Sequence, residues 1–189
     1  MRKRLTELCL AGAAIALLAT GCGETGQAEP TAAVGALTTS TSTGANVAMW
    51  DPCTAPASAL SAAGLNPAVE DRDVAGIAFP DWRVCTWVDN SGTAYRLSLA
   101  STPITLEQAR SRTDYTDYVD LSVGGLPSLR MQPLAKSSSR QTTCIIATQT
   151  ANGVVEFILG LTQASKATLN ACTEVQRLAD SLIRSVPGA

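Results

Sequence analysis

Six cysteines, no histidine and a scatter of carboxylates define the chemistry open to this chain of 189 residues. Without an imidazole there is no base for a Ser-His-Asp or Cys-His nucleophile, and no histidine switch. Cys53, Cys85, Cys144 and Cys172 are spaced neither C-x2-C nor C-x4-C, so a zinc site is not expected. Phosphate-loop, nucleophile-elbow, S-x-x-K and H-E-x-x-H patterns are missing as well. Asp114, Asp117 and Asp120, interleaved with Tyr115 and Tyr118, make an acidic aromatic patch. Its three-residue spacing lacks the alternating ligands and glycine turn of a calcium loop, so it reads as a solvated loop. Were that stretch helical the three acids would share a face; running from loop to strand, they diverge. Of the three tryptophans, Trp87 alternates onto the side of Cys85 and reads as core. Trp50, Trp82 and Trp87 together invite a ligand-cage reading, and Trp82, following Phe79-Pro80, is the aromatic candidate for a partner contact. No catalytic residue, metal ligand or cofactor is assigned.

The amino terminus says where the chain goes. Arg2, Lys3 and Arg4 precede an apolar run over 8–18. Eleven helical residues reach about 17 Å against a hydrocarbon core of roughly 30 Å, which fits a signal peptide better than a membrane span. The run ends in Leu18-Ala19-Thr20-Gly21-Cys22, which resembles the lipobox of bacterial lipoproteins, with Ala19 where leucine is more usual. That resemblance implies cleavage before Cys22, a diacylglycerol thioether on its sulfur and a palmitoyl-type chain on its amine. Two or more acyl chains give stable membrane residence where one is marginal. The expected location is the extracytoplasmic face of the cell membrane, held by a lipid anchor.

Residues 23–47 are mainly Gly, Ala, Thr and Ser, with no aromatic side chain. Such a stretch buries too little surface to offset ordering entropy and reads as a tether spanning on the order of 25–30 Å. The expected organisation is therefore a signal peptide over 1–21, a lipidated cysteine and linker over 22–47, and one globular domain over 48–189. After cleavage eleven cations face fifteen anions, net −4. A charged fraction of 16% with this balance gives no nucleic-acid footprint. The segment 136–140 is a polar loop, too small for a basic patch.

The domain reads as α+β, an antiparallel sheet with helices packed on it. Residues 55–63 form a short helix stopped by Gly64. Residues 82–88 and 95–101 are strands joined through Asp89-Asn90-Ser91-Gly92, with Tyr95, Leu97 and Leu99 on one face. Thr105 and Gln108 make a capping box for a helix over 106–112, and 118–123 reads as a strand. Residues 142–149 and 154–161 flank Asn152-Gly153, a strong hairpin signal. Residues 166–185 form an amphipathic helix with Leu169, Cys172, Val175, Ala179, Leu182 and Ile183 inward. An even cysteine set in an exported chain implies two disulfides, with three connectivities to choose from. With Cys144 in a strand and Cys172 on the buried stripe of the last helix, a strand-to-helix bridge is expected. Cys53 then joins Cys85, and each closed loop is worth roughly 3.5 kcal/mol.

The lipobox, the Thr/Ser-rich tether, Asp51-Pro52-Cys53, Cys85-Thr86-Trp87 and two late cysteines together resemble an actinobacterial lipoprotein family, domain of unknown function 3558. The resemblance implies a small envelope lipoprotein with a mixed α/β sandwich, and brings no catalytic residues. The expected role is a non-enzymatic module binding an envelope protein, glycan or lipid. A carrier or sensor holding an apolar ligand between sheet and helix is the second reading, and a carboxylate-dependent hydrolase the third.

Overall fold

A computed structural model describes residues 49–73, 77, 79–134 and 142–189. These belong to one unit, residues 43–189. The signal peptide, Cys22, the tether and the polar segment 136–140 lie outside the described residues.

Alternating apolar residues build six strands: β1 (Arg83–Val88), β2 (Tyr95–Thr102), β3 (Tyr115–Val123), β4 (Leu126–Pro133), β5 (Thr143–Thr150) and β6 (Gly153–Leu161). They form one antiparallel sheet in the order β1-β2-β6-β5-β4-β3. The β1–β2 hairpin and the β3–β6 meander thus meet at the β2–β6 pair. Gly153 pairs with Thr150, so the turn itself is Ala151-Asn152. Its φ is +111°, and a Cβ there would come within 2.2 Å of the Thr102 carbonyl oxygen, so this position requires glycine.

One sheet face carries the two longer helices. Register places Cys85, Trp87, Leu97, Leu99, Phe157 and Leu159 on it, all at most 1% exposed. Helix α1 (Ala57–Ala63) and helix α3 (Ala171–Leu182) close over them with Leu60, Val175, Leu178 and Leu182. Helix α3 starts five residues later than the periodicity predicts, because the Asn170 side chain accepts from Thr173 N–H and caps it there. Residues 183–185 continue it as a turn of 3-10 helix. The space between sheet and helices, where the carrier reading expects an apolar ligand, is occupied by these packed side chains.

Both expected disulfides are present. Cys53–Cys85 ties the 3-10 turn Pro52–Thr54 to β1, and Cys144–Cys172 ties β5 to α3. Both staples sit on the helix-bearing side.

The opposite face has a smaller core of Leu129, Met131, Ile145, Ala147 and Val154, covered by Ala109 of helix α2 (Leu106–Arg110). Thr105 and Gln108 form the reciprocal capping box, with bonds of 3.2 and 2.8 Å. The helix ends at Arg110 rather than 112, where Ser111 closes it through carbonyls of α2. β3 begins at Tyr115, three residues earlier than its composition suggests. A bulge between Thr116 and Val119, with Asp117 at φ +57°, interrupts its pairing with β4. β4 has no counterpart among the sequence expectations: Pro127 and Pro133 mask it. Both lie outside the β4–β5 ladder, which runs from Ser128 to Met131, so their missing N–H groups cost it nothing.

Candidate functional site

The face opposite α1 and α3 carries a groove of about 280 Å3, lined by Phe79, Trp82, Val84, Ala100, Arg112, Tyr115, Glu156 and Ile158. Its floor comes from register. Glu156 lies opposite Ala100 of β2 and Ala147 of β5, so two methyl groups flank a carboxylate on the central strand β6. These small neighbours leave space above the carboxyl group. Glu156 is nevertheless only 1% exposed.

The wall comes from the segment between α2 and β3. In a regular strand Tyr115 and Tyr118, three apart, would point to opposite faces. The bulge at Asp117 brings both against the second core. The Tyr118 hydroxyl donates to the Arg112 carbonyl oxygen at 2.6 Å, which fixes the loop from below. The Arg112 guanidinium sits over the Tyr115 ring at 4.3 Å and the Trp82 ring at 5.7 Å, in cation–π geometry. It donates to Asp114 with two nitrogens, at 3.2 and 2.9 Å, to the Tyr115 hydroxyl at 3.2 Å and to Glu156 at 3.3 Å.

One guanidinium therefore serves two carboxylates, and the buried one receives the longest bond. Burial pushes the Glu156 carboxyl up to about 7, with Arg112 pulling it back down and Asp114 adding to the rise. Burial also raises the Tyr115 phenol, which Arg112 partly offsets. A buried acid titrating near neutrality, at the floor of a cleft, marks a candidate binding site.

Further hollows among the described residues are open to solvent. One, about 210 Å3, shares Phe79, Trp82 and Val84 with the groove and adds Asp51, Cys53, Arg72, Asp73, Ile77 and Arg83. Ile77 and Phe79 are 56% and 44% exposed, so an apolar aromatic rim runs between the two. Another hollow, about 570 Å3, is polar and borders the start of α3 with Asp117, Arg130, Gln132, Asn170, Cys172, Thr173 and Gln176.

The residues singled out from sequence separate. Trp82, the aromatic candidate for a partner contact, is half-buried in the groove wall. Trp87 is fully buried beside Cys85, and Trp50 packs against the main core while its indole donates to Thr54. The acidic patch diverges: Asp114 goes to Arg112, Asp120 to Arg110, and Asp117 to the polar hollow. Among the described residues no group of three or more Cys, Asp or Glu is placed to hold a metal ion. Glu156 and Arg112 were missed. The signal was present: Glu156 is a lone acid inside Val154-Val155-Glu156-Phe157-Ile158-Leu159, an otherwise apolar strand.

Comparison with known proteins gives one assignment. The model of the family "Protein of unknown function (DUF3558)" matches residues 17–185, and the chain belongs to that family. No curated protein and no solved structure matches it.

Proposed function

We propose that this chain is a non-enzymatic, lipid-anchored module of the cell envelope that binds its ligand in the Trp82–Glu156 groove. The lipobox at Cys22 and the tether motivate the anchorage. The observation that carries the binding reading is the buried Glu156 carboxyl beneath a wall of Arg112, Tyr115 and Trp82, next to the exposed Phe79 rim. Among the described residues the groove lining holds no Ser, Thr, Cys or Lys, and both oxygens of Asp114 are held by Arg112, so Glu156 has no free acid partner among them. This disfavours two-carboxylate hydrolysis. The apolar walls favour the carrier-like variant of the reading, with the ligand on the groove face instead of between sheet and helix.

Two measurements test it. Cys22→Ala should move the protein out of the membrane fraction, and full membrane retention would refute acylation as the anchor. Trp82→Ala, with the fold checked by circular dichroism, should abolish capture of the ligand from envelope extracts by the full-length mature protein. Capture equal to that of the unsubstituted protein would place binding elsewhere.

A further inference from the structure

The groove floor holds a carboxyl group that its own residues only partly satisfy. Arg112 brings one positive charge, and Asp114 takes two of its hydrogen bonds. Glu156 receives a single longer one, and its second oxygen has no hydrogen-bond partner among the described residues. With Glu156 ionised, Arg112, Asp114 and Glu156 sum to one net negative charge; Asp114 is exposed outside the groove, and the Glu156 carboxylate alone lies at its floor. A buried carboxylate so placed is costly unless a cation or a donor reaches it.

We propose that the groove takes a primary ammonium group on a short apolar chain, the nitrogen seated on the free oxygen of Glu156 and the chain lying along Val84, Ala100 and Ile158. This rests on the reading of the groove as the binding site. A primary ammonium supplies a counter-charge for the ionised Glu156 carboxylate and an N–H donor for its second oxygen together. An anion would meet the Glu156 carboxylate, and an uncharged group would leave Glu156 to keep its proton. The ring faces of Trp82 and Tyr115, already turned towards one cation, are attractive surfaces for a second. At about 280 Å3 the groove lies near the lower end of ligand-site volumes, so it holds a short chain or the tip of a longer one.

The groups that face Glu156 from the neighbouring elements decide the pH dependence. The loop before β3 brings Arg112 and Asp114, and β3 brings Tyr115; Ala100, Ala147 and Ile158 from the strands do not titrate. An ammonium binds the ionised carboxylate, so affinity should rise with pH through about 7.

The test is calorimetric titration of the full-length mature protein with n-butylammonium, butan-1-ol and butyrate, alongside NMR of the Trp82 indole N–H assigned through Trp82→Phe. Butylammonium should bind more tightly than either analogue, and its affinity should rise about tenfold from pH 6 to pH 8. Glu156→Gln should remove both the preference and the pH dependence. The pH series on the unsubstituted protein decides the matter even if that variant does not fold. Equal affinity for butan-1-ol and butylammonium, with the Trp82 signal shifted by both, would overturn the ammonium assignment and leave the groove as a binding site. No shift of Trp82 by any of the three would overturn both. Competition by vesicles containing phosphatidylethanolamine, but not by phosphatidylcholine vesicles, would assign the amine to a lipid headgroup; no competition by either would assign it to a soluble amine.

Discussion

Glu156 is the residue at which this fold accepts a cost. Burial lifts its carboxyl from the ordinary 4.5 to about 7, and Arg112 only partly restrains the rise. The unfolded chain gives up this proton from about pH 4.5, whereas the folded chain keeps it until about pH 7. Native stability therefore falls across that window and levels off above it. Each unit of difference is worth about 1.4 kcal/mol, so the loss is about 3 kcal/mol. Glu156→Gln lacks the titration and should lose less stability than the unsubstituted protein between those two pH values. Urea unfolding at several pH values checks this; parallel stability curves for the two proteins would mean that the carboxyl is well solvated. An acid kept at such a place on a central strand is a poor choice for packing alone. A leucine of similar size would suit Ala100 and Ala147 without the penalty.

At the scale of elements, the site depends on a bulge and a helix cap more than on any regular strand. The capping box at Thr105 fixes where α2 starts, and the left-handed Asp117 turns Tyr118 inward. The hydroxyl of Tyr118 then holds the Arg112 carbonyl. Tyr118→Phe should cost about 1 kcal/mol and speed amide exchange around Arg112, while exchange in β5 and β6 stays unchanged. Unaltered exchange at Arg112 would show that the loop is held by other contacts. The β1–β2 and β5–β6 hairpins and α1 were legible because alternation and turn residues are local signals. Tyr95, Leu97 and Leu99 share a buried face, and the segments beside Asn152-Gly153 pair as expected. β4 was not legible, since two prolines argue against a strand when its pairing limits are unknown. The site was hidden for a related reason. Glu156, Arg112 and Trp82 lie far apart in sequence, and only the β2–β6 register and the bulge bring them together.

For the whole molecule, the two faces of the sheet have different mechanical characters. Both disulfides and the larger core lie on the helix-bearing side; the groove side is held by noncovalent packing alone. Replacing Cys144 and Cys172 together by alanine should lower unfolding free energy by about 3 kcal/mol, read by urea titration. A change below about 1 kcal/mol would show that α3 is secured by its apolar stripe without the bridge. Non-reducing peptide mapping should recover two linked pairs, Cys53 with Cys85 and Cys144 with Cys172.

The first of those bonds also governs how the domain meets a pull on its amino-terminal end. Tension entering at Trp50 reaches Cys53 three residues later and jumps through sulfur to Cys85 in β1. Residues 54–84 are enclosed by that bond and cannot be drawn out. From β1 the load passes sideways through β2 to β6, the three adjacent strands that carry Val84, Ala100 and Glu156. A ligand gripped in the groove would thus be joined to the residues before Trp50 across three neighbouring strands, a short path that leaves the rest of the fold unstretched.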